Sequence, residues 1–455
     1  MHHAGHHAGM RSTGNAPLGG AGVPGLARVQ RIPALLRFTI IFALASTLML
    51  GRFQLNIGSY FLSVGLIAQY LVVLVLLLLG LARIDPMRMF LFIGCAAVAL
   101  VSWVVNAEIA SSSSVLLIVA AYFVFVFVAR STERTQYIAR WTLGVFLNLM
   151  LFCAIAGIAQ FFLQFVVKLP WLFNFTDYIP EAFRGGVGYN TVIRVSGHFY
   201  KSNGFFFVEP SRFSQVLALA LLCELALHPK WRWIRLATLG LAILLSYSGT
   251  GLLTLGVGLL FPLGPRTVMR LIIMLLGGAF VFFVLGDALS LSVTAGRVGE
   301  FTAVGSSGFA RFVAPFIFVR DYIDSTPWSL LIGHGPGSIF KVIAASGVGY
   351  EVAGPTWAKL ATEYGVLGFV AFSGLILYTM LGSRVPTELR AGIIFGWFVL
   401  WGGVLLAPDV TALFYILVAL WPRQSGGTRL PLSPPLQPDG RMSGAGSAAP
   451  AARPR

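Results

Sequence analysis

The chain has 455 residues, of which 57% are hydrophobic and 11% charged, with a mean hydropathy of +0.83. Soluble domains carry charge on about a quarter of their residues, so a soluble globule is excluded. The 32 basic residues outnumber the 16 acidic ones and leave a formal charge of +16. In so apolar a chain this excess points to anchoring of cytoplasmic loops, not to nucleic acid. Cys95, Cys153 and Cys223 all lie in apolar runs, which offers neither a disulfide framework nor a zinc site. Neither metal nor cofactor is expected.

Residues 1–30 hold a His-Ala-Gly run and then a Gly/Pro-rich stretch. They read as a low-complexity leader, disordered and cytoplasmic, with metal binding by the histidines as the competing reading. A hydrocarbon core about 30 Å thick takes roughly 20 apolar residues at a rise of about 1.5 Å. Charge-poor runs of about that length occur near 33–50, 58–81, 89–107, 112–129, 141–167, 210–228, 234–247, 250–264, 271–288, 357–382, 391–407 and 409–421. The expected fold is therefore an all-α polytopic membrane domain over residues 31–422 with about twelve transmembrane helices. The stretch between Arg235 and Arg266 reads as two spans meeting at Ser246-Tyr247-Ser248-Gly249-Thr250-Gly251, because a hairpin keeps Arg235, Arg266 and Arg270 on one side. Residues 423–455, rich in Pro, Gly, Ser and Ala, are expected to form a disordered cytoplasmic tail.

With the N-terminus inside, twenty-one of the 32 basic residues fall on the cytoplasmic side, and that asymmetry predicts the orientation. Two outward-facing segments, 168–209 and 289–356, are then the long ones, and a site is expected there, on the periplasmic or exterior face. No internal repeat of the kind found in many secondary transporters is visible.

The first segment carries Lys168, Arg184, Arg194, Lys201 and Arg212 against Asp177, Glu181 and Glu209. Positive charge placed against the orientation trend suits a phosphate-bearing ligand, since a guanidinium forks two hydrogen bonds to phosphate oxygens and keeps its charge when desolvated. Headgroup anchoring is the competing reading. Pro210 has the fixed φ and missing N–H that suit a first helical turn, and Pro355 stands in the same way before another span, so two positive helix ends are expected to face outward. Ser211 and Arg212 lie in the first of these turns. Glu209 is either an acid/base group or a local partner of the helix amides.

In the second segment, Phe312, Phe316, Val319 and Tyr322 form an apolar stripe at helical spacing, with Arg311 expected to open that helix. Gly333-His334-Gly335-Pro336-Gly337-Ser338 follows. Its glycines, Gly335 and Gly337 among them, permit a turn whose amides cradle phosphate, or simply a structural turn. His334 is either a proton acceptor or a turn histidine bonded to backbone.

The order Arg194-x-x-Gly197, Gly-Phe-Phe-Phe-Val-Glu-Pro-Ser-Arg-Phe-Ser at 204–214, Ser-Tyr-Ser-Gly-Thr-Gly at 246–251, Ser307-x-x-x-Arg311, Gly-His-Gly-Pro-Gly-Ser at 333–338 and Glu363-Tyr-Gly-Val-Leu-Gly368 resembles the O-antigen polymerase and O-antigen ligase superfamily over about residues 140–380. The resemblance implies a GT-C-like glycosyltransferase of the bacterial inner membrane that needs neither metal nor nucleotide sugar. Its donor would be a glycan on undecaprenyl pyrophosphate, used at the periplasmic face with inversion. A chain-length regulator or export complex would be a partner, alongside membrane lipid and with no nucleic acid. Arg194 and Arg311 match the functional arginines of the superfamily. Glu209 and His334 are the candidate bases, and Arg212, Lys201, Ser211, Gly335 and Gly337 the candidate substrate contacts.

Ligases of this superfamily carry a histidine pair nine residues before the Glu-x-Gly-x-x-Gly element, where this chain has Gly354-Pro355. The polymerase branch is therefore favoured. The rivals are a ligase acting on lipid A-core, a transporter or flippase for the same lipid-linked glycan, and a non-catalytic scaffold.

Overall fold

The computed structural model describes residues 32–422, apart from 58–59, 168, 186–193, 196–198, 228–232, 263, 286–298, 300, 323–326 and 402–403. The expected tails, 1–30 and 423–455, and Lys168 lie outside the described residues. The rest is mostly helical, with apolar helices along most of the charge-poor runs.

Helix α1 (Ala34–Met49) leads into a hairpin of β1 (Gln54–Ile57) and β2 (Tyr60–Ser63), and Ser63 then caps α2 (Val64–Leu78) by accepting the Leu66 amide. Gly80, at φ 65°, closes α2 with a bond from the Leu81 amide to the Leu76 carbonyl, a left-handed cap that glycine adopts without a Cβ penalty. The strand β3 (Ala82–Ile84) precedes α3 (Pro86–Val105), which starts on Pro86 with Asp85 accepting the Met87 and Arg88 amides. After α4 (Ser112–Phe123), β4 (Phe127–Ala129) pairs antiparallel with β3. Helix α5 (Glu133–Leu163) follows, held at its start by the reciprocal Thr132–Thr135 capping box. A third short ladder joins β5 (Arg194–Val195) to β6 (Phe199–Tyr200).

Four more apolar helices follow: α6 (Pro210–Leu227), α7 (Trp233–Leu245), α8 (Gly249–Leu259) and α9 (Pro265–Leu285). Four shorter ones, α10 (Ser307–Phe312), α11 (Ala314–Tyr322), α12 (Pro327–Ile332) and α13 (Ile339–Ser346), fill the second large segment. Then come α14 (Thr356–Leu381), α15 (Thr387–Phe395) and α16 (Pro408–Phe414), and the last two each continue into a wide turn, 396–400 and 415–419.

The fold is mostly helical and, among the described residues, carries three two-stranded ladders. Of the helices among the described residues, α3, α5, α6 and α14 are long and apolar enough to cross a membrane alone, while α1, α2, α4, α7, α8 and 408–419 are shorter apolar helices. The 234–264 stretch does divide into two helices. Arg88 is fully buried and donates to the Ala419 carbonyl at 2.7 Å, at the end of the wide turn where carbonyls leave the ordinary helical ladder.

The core runs through α1–α8 and α14–α16, built on fully buried side chains such as Leu36, Tyr122, Phe146, Phe213, Phe372 and Tyr415. Large apolar side chains also point away from it, among them Phe38, Leu78, Phe90, Val104 and Phe283. Water would penalise that exposure, whereas lipid does not.

Candidate functional site at the start of helix α6

Pro210 opens α6, and the Glu209 carbonyl accepts the Phe213 amide at 3.1 Å, so Glu209 is the residue that leads the chain into the helix. The Ser211 hydroxyl donates to Glu209 Oε2 at 2.7 Å. Arg311 Nη2 reaches the same oxygen at 3.5 Å, with both side chains partly exposed. Arg311 does not open the amphipathic helix as expected. It lies in the last turn of α10, which Ser306 caps through the Phe309 amide, and a cation is favoured at that end of a helix. The bond from the Ala353 amide to the Ala310 carbonyl, at 2.9 Å, braces α10 against the approach to α14.

One residue past Ser211, Arg212 pairs with Asp409 at 3.6 Å. The Ser63 hydroxyl donates to the other oxygen of that carboxylate. From α8, Thr250 Oγ1 meets the Ser211 carbonyl at 3.5 Å, and Ser214 Oγ donates to the Ser248 carbonyl at 3.3 Å. The approach is so close that a Cβ on Gly251 would lie 1.9 Å from Ser214 Oγ. The N-terminal ends of α2, α6, α8 and α16 therefore meet around Ser211 and Arg212, which adds partial positive charge to two guanidiniums.

Behind this cluster lies Arg52, 1% exposed. Its Nη1 donates to Asn174 Oδ1 and Thr176 Oγ1, its Nη2 to the carbonyls of Phe173 and Phe207, and its guanidinium rests 4.8 Å over the Phe175 ring. Burial lowers its pKa to about 10, so it remains a cation at neutral pH. Among the described residues no carboxylate pairs with it. The neighbouring strap is strained: Gly204 and Phe205 both have positive φ, 66° and 64°, and for phenylalanine that costs about 1–3 kcal/mol.

A second cluster joins the two glycine motifs. Helix α14 breaks at Gly365, at φ 61° and ψ −164°, and the carbonyls released there accept from the turn: the His334 amide bonds Thr362 O at 2.8 Å and the Gly335 amide bonds Glu363 O at 3.0 Å. Glu363 is buried, pairs with Lys359 at 2.6 Å and accepts the Ile339 amide at 3.3 Å.

The predicted residues thus divide. Glu209, Ser211, Arg212 and Arg311 come together. Lys201 is buried beside that strap. The backbone of Arg194 pairs with Tyr200 in β5–β6, and its side chain lies outside the described part. His334 Nε2 is 3.4 Å from the Tyr322 carbonyl, in the turn cluster and not beside Glu209. In the turn the Gly335 amide bonds the Glu363 carbonyl, and a Cβ on Gly335 or Gly337 would strike Ala110 or Ser114, so close packing on the α3–α4 connection accounts for both glycines, in keeping with the structural-turn alternative. Sequence reasoning missed Asp409 and Arg52. The Pro408-Asp409 pair is a helix-start signal that was available; a lone Arg52 after an apolar run carries none.

No curated protein matches the chain. The profile of the WcaD colanic acid polymerase family matches residues 39–420, which include both clusters and every helix from α2 to α16, and the chain belongs to that family of polysaccharide polymerases.

Proposed function

We propose that the protein is an inverting, metal-independent glycosyltransferase of GT-C type in the bacterial inner membrane. It joins undecaprenyl-pyrophosphate-linked repeat units at the periplasmic face, at the start of α6. The observation that carries this reading is the contact of Arg311 with Glu209 beside the Arg212–Asp409 pair, two ion pairs at converging helix N-termini.

A hydroxyl of the acceptor glycan attacks the anomeric carbon of the donor. The bond from that carbon to the diphosphate oxygen breaks, and its electron pair leaves on the lipid diphosphate. Arg311, with Arg194 and Arg212, neutralises the growing charge, and fixed cations in a poorly hydrated site strengthen their hold as it grows. The hydroxyl proton passes to Glu209. Before the donor binds, Glu209 is the counter-ion of Arg311; a diphosphate competes for that arginine and leaves the carboxylate available as a base. General-base assistance of this kind contributes about 10²- to 10⁴-fold.

The family membership and the Gly354-Pro355 pair, where ligases carry histidine, support polymerase over ligase. The test is to incubate purified protein with a lipid-linked repeat unit alone. A ladder of longer lipid-linked chains supports the reading. Transfer that requires added lipid A-core would make it a ligase, and movement across liposomes without elongation would make it a flippase.

A further inference from the structure

Among the described residues the buried guanidinium of Arg52 has no counter-ion and touches none of the groups assigned to the reaction, so its role is sought in what it holds. It holds the strap that delivers Glu209. The strap begins at Asn203, whose amide and side chain are fixed by Gln160: Asn203 N donates to Gln160 Oε1 at 3.0 Å, and Gln160 Nε2 donates to Asn203 Oδ1 at 2.7 Å. It then passes through two left-handed residues, Gly204 and Phe205, with the Phe206 amide turned back onto the Gly204 carbonyl at 2.7 Å. Phenylalanine does not stay in that conformation unless its surroundings over-determine it.

Two observations supply the constraint. The Phe173 carbonyl accepts from both Asn203 Nδ2, at 2.8 Å, and Arg52 Nη2, so the two ends of the strap share one anchor. The same Arg52 nitrogen then reaches the Phe207 carbonyl at 2.6 Å, two residues before Glu209. Gln160, Asn203 and Arg52 are all buried, which makes this a continuous polar network from α5 to the threshold of α6.

We infer that Arg52 is a positioning residue for the polymerisation site, acting through the Phe207 carbonyl to hold the strained 204–209 strap so that Glu209 faces Arg311. This rests on the reading of Glu209 and Arg311 as reacting groups. A planar fork is required, because one donor group must span Phe173 and Phe207 while Nη1 keeps Asn174 and Thr176; an ammonium on a flexible stem does not reproduce that geometry.

The test measures elongation of a lipid-linked repeat unit by the purified full chain carrying Arg52→Lys, alone and combined with Glu209→Gln. Arg52→Lys should lower kcat at least about tenfold and leave the donor KM within about twofold. In the Glu209→Gln background it should cost nothing further, since the aim of an absent carboxylate no longer matters. Undiminished kcat, or a loss that multiplies with that of Glu209→Gln, would overturn the inference and leave Arg52 a general support of the fold. If Arg52→Lys does not yield a folded protein, Asn203→Ala, which loosens the same strap, is judged by the same two criteria. Full activity of Arg311→Ala and Glu209→Gln would instead refute the proposed reaction site itself.

Discussion

Asp409 faces Arg212 across 3.6 Å while its second oxygen takes the Ser63 hydroxyl, so one carboxylate ties together the first turns of α2, α6 and α16. Breaking one side of a buried ion pair costs about 3–5 kcal/mol, and an exposed pair contributes about 0–1 kcal/mol. With side chains 24% and 14% exposed, this pair lies between those limits. Asp409→Ala should therefore destabilise the protein by about 1–3 kcal/mol, read as a lower thermal unfolding midpoint in detergent micelles. An unchanged midpoint would remove Asp409 from the architecture of the site.

Gly365 and Gly80 share a positive φ, 61° and 65°, but not an environment. A Cβ at Gly365 would lie 2.5 Å from the Leu331 carbonyl carbon, whereas one at Gly80 meets nothing within 4 Å. Gly80→Ala should cost about 1–2 kcal/mol, the backbone penalty alone. Gly365→Ala adds a backbone clash that must displace α12 from α14, and should cost at least about twice as much. Paired unfolding curves decide this, and equal shifts would mean that α12 and α14 do not interlock at the kink.

Lys359 and Glu363 form an ion pair with both side chains out of solvent, 4% and 0% exposed. Lys359→Met leaves a buried carboxylate without its cation and should destabilise by about 3–5 kcal/mol. Adding Glu363→Gln to that variant should recover part of the loss, because no charge then remains to be desolvated. A double variant as unstable as the sum of the two single ones would show that they act independently.

The helices were largely legible in the sequence, because charge-poor runs and proline starts are local signals, as at Pro210 and Pro355. The wide turn at 415–419 was not, since its Ala419 carbonyl is taken up by Arg88 from a distant helix. At the site, the basic residues stood out by positive charge placed against the orientation trend, and Glu209 by its place before Pro210. Their pairing could not be read, because whether Glu209 meets Arg311, His334 or its own helix amides depends on how α10 docks. The choice between cradle and structural turn at 333–338 could not be read for the same reason: the His334 and Gly335 amides bond carbonyls that a kink at Gly365 releases, and only the fold brings 333–338 onto 362–365. Arg52 carries no local signal at all, as its four acceptors lie in segments far along the chain.

The most direct measurement compares the wild-type protein with Arg311→Ala and Glu209→Gln, each purified, folded and supplied with the lipid-linked repeat unit as sole substrate. Loss of the arginine should abolish the product ladder to at least about a hundredfold, in keeping with a group that stabilises leaving-group charge. Loss of the carboxylate should lower kcat by about 10²-fold or more and tighten donor binding, because Arg311 is freed from its counter-ion. Ladders of wild-type length and yield from both variants would contradict the assignment of the reaction to the start of α6.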